Sequence, residues 1–568
     1  MAEYLHPGVY VEEFDSGAVP MQGVSTSTAG FIGLAERGPT SGKPQFITSF
    51  ADYRRIYGGY LGEAKYGENR FLPYSVEHFF VNGGSRAYVM RVAPEDAAAA
   101  TATGGVLTVN AANGGQWGDQ IRVTVTASYK ARTQVAAVNG AELKLKNPDG
   151  FNVGDIVELF NGEVKAYSTI RNAADGIITL DAPCTMEGIA DLTVGTNKYI
   201  RTCEISLSVK LGETVENFAD LSLNSEAVNY IGARTGKSEL IRVEIGEVAD
   251  EAVVPITLCG GDEAGITLAL SGGSDGGVSG AGADVFIGSD NGPGKRTGIQ
   301  AFLENTDVSI MAVPGNTTPD VQAALIAHCE NLKSRFAVLD IPIDRKKVNE
   351  VSEFRDMYDS TYAAIYHPWL EALDPLAKRS AYFPPSGAMI GIYARTDTER
   401  GVHKAPANEV VRSCTGLSVS YNEAEQDILN PLGINLVRAF TGRGIRVWGA
   451  RTISSNGLWK YLNVRRLFIF VEESIKANTN WVVFEPNSET LWGRVTRTLE
   501  MFLASVWRTG ALAGTTPAEA FYVECGRTTM TQDDIDNGRL ICQIGIAPVK
   551  PAEFVIFRIT QHTASSGE

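Results

Sequence analysis

The apolar positions of the chain change their spacing several times between its two ends. Over residues 23–95 and 212–405, short apolar runs alternate with segments in which apolar residues recur at helical spacing. Residues 336–341 form one such run, and residues 319–332 show the helical pattern. This alternation is typical of a parallel, doubly wound sheet. We therefore predict a central α/β domain at residues 212–405, with residues 23–95 as an α/β block packed against it.

Residues 96–211 show a different pattern. Short runs in which apolar and polar residues alternate are broken by Asn-Gly, Asp-Gly and Gly-Asp pairs. Runs such as 121–125 and 156–160 recur at intervals of about eight to twelve residues, which is typical of small all-β folds. We predict an inserted, outward-facing all-β domain built as a sandwich or a barrel.

Residues 406–568 are predicted to form an α+β assembly domain. Two long helices are expected, one over residues 457–476 and a second directly after residue 487, whose apolar face includes Leu491, Val495 and Leu499. Two strand-like runs then follow, at residues 540–547 and 553–559. The domain therefore ends on a strand.

A further strand-like run lies near the start, within a predicted arm and linker at residues 1–22. A terminal strand has unpaired backbone N–H and C=O groups unless a sheet takes it in. If a second copy of the chain supplies that sheet, the two ends couple subunits into a polymer; pairing within one subunit is the alternative. The candidate intersubunit residues are Val9, Tyr10, Val11, Glu12 and Glu13 at the start and Phe554, Val555, Ile556 and Phe557 at the end.

Length, charge and cysteine usage narrow the possible functions. A chain of 568 residues exceeds a single core, so roughly three or four domains are expected. The formal net charge of -16 argues against nucleic-acid binding. The seven cysteines include no C-x-x-C pair, which indicates neither a disulfide framework nor a zinc site and suits a reducing cytoplasm. We expect no signal peptide and no membrane span.

No sequence motif for catalysis stands out. The nearest approach to a phosphate-binding loop, at residues 292–297, has Ser289 where the motif needs glycine and Arg296 where it needs Ser or Thr. H-E-x-x-H does not occur, and the one G-x-S-x-G match, at residues 272–276, lies in a glycine-dense stretch instead of between a strand-like run and a helical one, as a nucleophile elbow requires. We expect no enzyme activity, cofactor or metal. A hydrolase whose Ser, His and Asp meet only in the folded α/β domain stays as an alternative.

Several short stretches, taken together, carry a family resemblance. They are HPGVYVEE at 6–13, NVRRL at 463–467, FEPN at 484–487, GAL at 510–512, GRL at 538–540 and IAPVKPAEF at 546–554. In this order the chain resembles the contractile tail sheath proteins of bacteriophages and related contractile injection systems. The resemblance covers about the first 95 residues and the chain from about residue 260 onward.

The resemblance implies a structural role and a subtilisin-like fold for the central domain, without protease activity. Such subunits form a homo-oligomer, expected as hexameric rings stacked helically around an inner tail tube, with terminal arms adding strands to neighbours. Contraction would drive the tube through a bacterial envelope for phage DNA ejection. A phage-derived injection system that delivers protein effectors is the alternative.

The same resemblance implies partners and a location. Besides the tube protein, baseplate and tail terminator proteins are expected partners, with no direct nucleic-acid contact and no membrane insertion. The subunit would assemble in the host bacterial cytoplasm and end in the virion tail; the alternative is the bacterial cytoplasm or a released injection particle. Lys460, Arg465 and Arg466 are the candidate tube contact, unless they are ordinary solvated or intramolecular ion-pair residues.

Overall fold

The computed structural model describes residues 21–160, 165–181, 199–246 and 265–558. Strands dominate the described chain by number. They are β1 (Ala29–Leu34), β2 (Gln45–Ile47), β3 (Ala87–Val92), β4 (Thr101–Gly104), β5 (Leu107–Ala111), β6 (Arg122–Ser128), β7 (Arg132–Asn139), β8 (Glu142–Leu145), β9 (Ile156–Phe160), β10 (Lys165–Ala174), β11 (Ile177–Leu180), β12 (Tyr199–Thr202), β13 (Glu204–Leu211), β14 (Thr214–Leu221), β15 (Ile241–Ile245), β16 (Ile266–Ala269), β17 (Ile310–Ala312), β18 (Phe336–Asp340), β19 (Ala363–His367), β20 (Leu370–Asp374), β21 (Arg379–Phe383), β22 (Gly416–Leu417), β23 (Ile434–Phe440), β24 (Gly444–Val447), β25 (Phe521–Cys525) and β26 (Cys542–Ile546).

Except for α4 in the β-rich region, the described α-helices lie around the central sheet and near the C-terminal end. They are α1 (Phe50–Tyr57), α2 (Glu63–Tyr66), α3 (Leu72–Val81), α4 (Ile231–Thr235), α5 (Ala283–Ile287), α6 (Pro319–Leu332), α7 (Val348–Arg355), α8 (Ser386–Arg400), α9 (Glu423–Leu429), α10 (Leu462–Asn478), α11 (Glu489–Arg508), α12 (Pro517–Ala520) and α13 (Gln532–Asp536). None of these described helices is long and apolar enough to cross a membrane.

An eight-stranded sheet with the order β2-β3-β1-β17-β18-β19-β23-β24 forms the core. Its inner strands pair in parallel, and the edge strands β2 and β24 are antiparallel to their neighbours. In β18, Phe336 and Val338 pack into the hydrophobic cluster on one face, and Ala337 and Leu339 into the cluster on the other. Burial on both faces explains why such strands are continuous apolar runs. The prediction of a mixed α/β multidomain chain is confirmed.

The β-rich region between β3 and α5 contains three sheets. Strands β10-β11-β8-β7-β12-β9 close into a barrel, beside a four-stranded sheet, β14-β13-β6-β16, and a three-stranded one, β15-β5-β4. The β pairing continues past residue 211, where the sequence placed the start of the central domain, because β14 pairs with β13, β15 with β5 and β16 with β6.

The C-terminal part packs α10 and α11 with a two-stranded sheet, β25–β26. The apolar stripe predicted for α11 is buried, including Leu491, Val495 and Leu499. The helix expected from residue 457 begins at Leu462, after a 3-10 turn. The strand predicted at residues 553–559 is absent from its described part, because residues 551–558 pair with no sheet of their own subunit.

The closest helix contact over the sheet is between α3 and α8, and it depends on glycine. A Cβ atom added at Gly391 of α8 would lie 2.4 Å from the carbonyl oxygen of Phe79 in α3. That distance is far inside van der Waals contact with backbone, so α3 and α8 approach this closely only while position 391 lacks a side chain.

We expect Gly391→Ala to lower the free energy of unfolding by about 1–3 kcal/mol, because the added methyl forces the two helices apart. Gly493→Ala is the matched control, since Gly493 lies inside α11 and a Cβ there meets nothing within 4 Å. That change should stabilise by about 0.5–1 kcal/mol. Denaturant unfolding measures both, and an equal effect of the two variants would contradict the packing argument.

Candidate assembly site

The C-terminal end of the described chain carries a run of four exposed apolar side chains. Phe554, Val555, Ile556 and Phe557 are 73%, 68%, 80% and 84% exposed. Contiguous exposed apolar surface of this kind marks an interaction site rather than a solvated surface. These four are the C-terminal arm residues predicted from the sequence, and their side chains are not covered by the described part of their own subunit.

The two-stranded sheet β25–β26 has open edges. Its strands pair from Phe521 with Ile546 to Cys525 with Cys542, and within the described residues neither takes a further strand. One face packs on α11 through Val523, whereas Tyr522 on the other face is 48% exposed. An isolated pair of strands is marginal, and its unpaired edge groups are a template for strand addition. The sheet is thus a candidate acceptor for an arm.

Directly before the exposed run, the Glu553 carboxylate is held by groups from three parts of the chain. Arg451 donates Nε to Oε1 at 2.8 Å and Nη2 to Oε2 at 2.6 Å. Asn430 donates Nδ2 to Oε1 at 2.9 Å, and the Tyr461 hydroxyl donates to Oε2 at 3.1 Å. The Lys460 ammonium lies 3.7 Å from Oε2. We call these five residues the Glu553 clamp.

The clamp keeps Glu553 ionised. Burial alone raises the pKa of Glu553, but the hydrogen bonds from Arg451 and Asn430 and the charge of Arg451 outweigh burial and lower the pKa to about 2. Charge-assisted, two-pronged Arg–carboxylate bonds are among the stronger and more directional contacts in proteins. The point at which the arm leaves the subunit is therefore fixed over the ordinary pH range.

At the other end of the chain, the linker that follows the N-terminal arm lies along α10. The Gln22 backbone N–H donates to Asn478 Oδ1 at 3.3 Å, and Asn478 Nδ2 donates to the Gln22 carbonyl at 2.9 Å. The Val24 N–H donates to Ser474 Oγ at 3.1 Å. Thr26 Oγ1 donates to Asp397 Oδ2 of α8 at 2.6 Å. The linker is thus attached at successive turns of one helix.

The structure gives Arg466, a predicted tube-contact residue, partners inside the subunit. Its side chain is buried, and it forms a fork with Asp397, with Nη1 3.0 Å from Oδ1 and Nη2 2.5 Å from Oδ2. Nη2 also donates to the Thr26 carbonyl at 2.9 Å. The intramolecular alternative left open by the sequence therefore describes Arg466 in the folded subunit.

Arg465 is also buried, and its guanidinium lies 3.4 Å from the ring centre of Trp459 and 4.4 Å from that of Tyr362. Lys460 is about one-third exposed and belongs to the Glu553 clamp. A salt-sensitive contact with another protein needs an accessible cation. Of the three candidate tube-contact residues, only Lys460 has an accessible charged group. The N-terminal candidates Val9, Tyr10, Val11, Glu12 and Glu13 lie outside the described residues.

The α/β domain contains the serine–carboxylate pairs Ser386–Asp340, in which Oγ donates to Oδ2 at 2.7 Å, and Ser360–Glu330, in which Oγ donates to Oε1 at 2.6 Å. Among the described residues, neither pair bonds a histidine; His367 Nε2 instead lies 2.9 Å from the Tyr421 hydroxyl and His328 Nε2 3.3 Å from Arg335 Nη1. No group of three possible metal ligands occurs in the described ranges. This arrangement gives the hydrolase alternative no support.

The buried carboxyl of Asp340 is expected to make the stability of the fold depend on pH. Burial raises its pKa from 3.8 to about 6, against hydrogen bonds from Gly315 and Ser386 that lower it. Because the folded chain holds the proton more tightly than the unfolded one, ionisation of Asp340 opposes folding as pH rises from about 4 to 6. The thermal unfolding midpoint of wild type should therefore fall relative to that of Asp340→Asn, which cannot ionise, over this range. A constant difference between the two midpoints would contradict this.

Two family models match consecutive parts of the chain. The phage tail sheath protein central domain matches residues 292–453, and the phage tail sheath C-terminal domain matches residues 454–562. The second match includes α10, α11, the β25–β26 sheet and the exposed arm. The boundary between the two models falls inside the Glu553 clamp, between Arg451 and Tyr461.

Curated proteins similar in sequence to this chain are also tail sheath proteins. The chain is 26% identical over 295 residues to a putative prophage major tail sheath protein of Pseudomonas aeruginosa (strain UCBPP-PA14), covering 49% of this chain and 72% of that protein. It is 29% identical over 217 residues to the tail sheath protein of Escherichia phage P2, covering 36% of this chain and 54% of that protein. The chain thus spans about half the length of the phage P2 relative.

Solved structures share the fold over nearly the whole chain. The sheath complex of an extracellular contractile injection system, PVC, in its contracted state is 22% identical, with 99% of each chain covered and a TM-score of 0.53. A sheath tail protein of Listeria innocua is 10% identical, with 93% and 96% covered and a TM-score of 0.53. The two domain matches show that residues 292–562 belong to the phage tail sheath family, and the solved structures show that the chain shares the fold of sheath subunits.

Proposed function

We propose that this chain is the subunit of a contractile sheath that polymerises around an inner tube and contracts to drive the tube through a bacterial envelope. The observation that carries the proposal is the exposed run Phe554 to Phe557 on a chain whose β25–β26 sheet has open edges. The chain offers both an apolar arm and a place for one, so copies of it can join head to tail into a helical polymer.

Strand addition supplies the coupling. An arm that adds to the β25–β26 sheet of a neighbour forms main-chain hydrogen bonds and buries alternate side chains against the neighbour. Phe554 and Ile556 would lie on one face of the added strand, and Val555 and Phe557 on the other. The N-terminal residues Val9 to Glu13 are proposed to add in the same way. Such couplings persist while the bodies of the subunits rotate.

Contraction is proposed to be a passage from an extended lattice to a compact lattice with more buried interface. Each subunit needs only a modest gain in free energy, because the gains of all subunits in the sheath add. The arms keep neighbours connected during this rearrangement, so that the movement passes along the sheath instead of breaking it.

The proposed partners follow from this role. They are further copies of the chain in stacked hexameric rings, the inner tube protein, and baseplate and tail terminator proteins. Of the three cationic residues considered for the tube, Lys460 is the one whose ammonium is accessible, and it is the residue we propose to test there. The proposed location is the virion tail, after assembly in the host bacterial cytoplasm.

A sheath of an injection system is the second candidate function. It is favoured by the likeness to the contracted PVC sheath, which extends over 99% of both chains. Nuclease-protected DNA in particles that contain this sheath distinguishes the two functions. A phage tail joined to a capsid carries such DNA, whereas an injection particle carries none.

Truncation after Glu553 tests the arm. This change keeps the Glu553 clamp and removes the exposed run, so the chain should fold with an unchanged unfolding midpoint and form no tubes. Electron microscopy and sedimentation of purified protein measure tube formation. Removal of residues 563–568, a polar segment, is the matched control and should leave the tubes intact. Normal tubes from the chain truncated after Glu553 would overturn the coupling role.

A further inference from the structure

We propose that α10 mechanically joins the two arms of each subunit, and that Glu553 is the positioning residue that sets where the C-terminal arm begins. The inference rests on the proposed function, since it assumes that the arms couple neighbours. Under this proposal, the pull between adjacent subunits crosses each one along a single helix, from the Glu553 clamp at one end to Asn478 at the other.

The C-terminal side of the argument concerns where the chain is held. Val549 is the last residue of this segment with a backbone hydrogen bond, from its N–H to the Ala511 carbonyl at 3.1 Å. Within residues 550–558, the Glu553 carboxylate accepts all the hydrogen bonds that join this segment to the rest of the described chain. Without the clamp, the free arm would begin after Val549 instead of after Glu553.

The residue at which the free C-terminal segment begins decides how effectively the arm binds its target sheet. A longer flexible segment lowers the effective concentration of the arm at its target sheet and lets the two subunits drift apart under load. Clamping at Glu553 places Phe554, the first exposed apolar residue, directly beside the held point. The clamp therefore shortens the tether to the arm itself.

Two members of the clamp connect it to α10. Lys460 and Tyr461 directly precede Leu462, the first residue of the helix, and both approach Glu553 Oε2. The other two, Asn430 and Arg451, come from the segments around β23 and β24. Tension on the C-terminal arm is thereby shared between the central sheet and the start of α10.

The N-terminal linker is attached along the remainder of the same helix. Arg466, Ser474 and Asn478 bind the backbone of Thr26, Val24 and Gln22 in that order, so the linker runs antiparallel to α10. The helix has 17 residues, which corresponds to a length of about 25 Å at 1.5 Å per residue. The clamp thus lies at the start of this rod, and Gln22, the linker residue nearest the N-terminal arm, is bound at its far end.

The packing of α10 suits it to carry load. Leu462, Val464, Leu467, Ile469 and Val471 are buried. The buried Arg466–Asp397 fork ties the helix to α8 of the central domain. A fully enclosed pair of this kind fixes geometry more than it adds stability. The helix therefore cannot slide relative to the central sheet without breaking this pair.

The decisive variant is Glu553→Gln in the full-length chain, with Arg451→Lys as a second variant that keeps the charge but loses the fork. The critical concentration for tube formation should rise about tenfold in both, which corresponds to one lost charge-assisted hydrogen bond. Sheaths that do form should break into short pieces when contraction is triggered with guanidinium. Because Glu553→Gln leaves the buried Arg451 guanidinium without its carboxylate, the unfolding midpoint of the unassembled chain should fall, but by too little to account for the assembly defect.

Asp290→Asn is the matched control, because Asp290 also pairs with an arginine, Arg296 at 2.7 Å, and its described hydrogen bonds are to Gly292 and Arg296 instead of to the clamp or α10. It should leave assembly unchanged. Asn478→Ala tests the linker end and should reproduce the breakage.

The outcomes separate the two proposals. If truncation after Glu553 abolishes tubes but Glu553→Gln assembles and contracts like wild type, the anchoring role of α10 is overturned and the coupling role stands. If the truncated chain forms normal tubes, the coupling role itself fails. A fall in the unfolding midpoint of Glu553→Gln that accounts for the whole assembly defect would also overturn the inference, since the clamp would then act through stability alone.

Discussion

Backbone N–H and C=O groups along the edge of a β-sheet need hydrogen-bond partners, and this requirement shapes the end of the chain. Among the described residues, the β25–β26 sheet has two strands only, and residues 554–558 pair with no strand. Both features are costly in an isolated subunit and are resolved together when the arm of one copy adds to the sheet of another. Under our proposal, these unpaired edges are the reason why the subunit polymerises.

The remainder of the structure holds these edges in place. The eight-stranded central sheet is buried on both faces and is a stiff base. Helix α10 is fixed to that base through Arg466 and Asp397, and the linker and the Glu553 clamp attach the ends of the chain to the helix. A stiff body with firmly attached arms is what a lattice needs if its subunits are to rotate without separating.

The sequence was sufficient where local pattern decides structure. The apolar run at β18 and the stripe of α11 were predicted correctly, because burial on two faces or on one helix face leaves a direct periodic signal. The burial of Arg465 and Arg466, which are adjacent in α10, could not be predicted from the sequence. Their burial depends on Asp397, Trp459 and Tyr362, and partners distant along the chain leave no mark on a spacing pattern.

The Glu553 clamp shows the same limit. Glu553 lies within a stretch that carries the family resemblance, yet its partners Asn430, Arg451 and Tyr461 come from a different region and share no motif with it. The predicted strand after Glu553 illustrates the converse case. Its β pattern is strong, but a strand forms only when a partner edge is present, and that edge belongs to another copy under our proposal.

A cryo-EM map of the sheath assembled from this chain tests the central claim most directly. The account predicts that Phe554 to Phe557 form a strand hydrogen-bonded to the β25–β26 sheet of a neighbouring subunit, with Glu553 still bound to Arg451 of its own subunit. A map in which these residues fold back onto their own subunit, or in which the β25–β26 edges stay unpaired in the polymer, would contradict it.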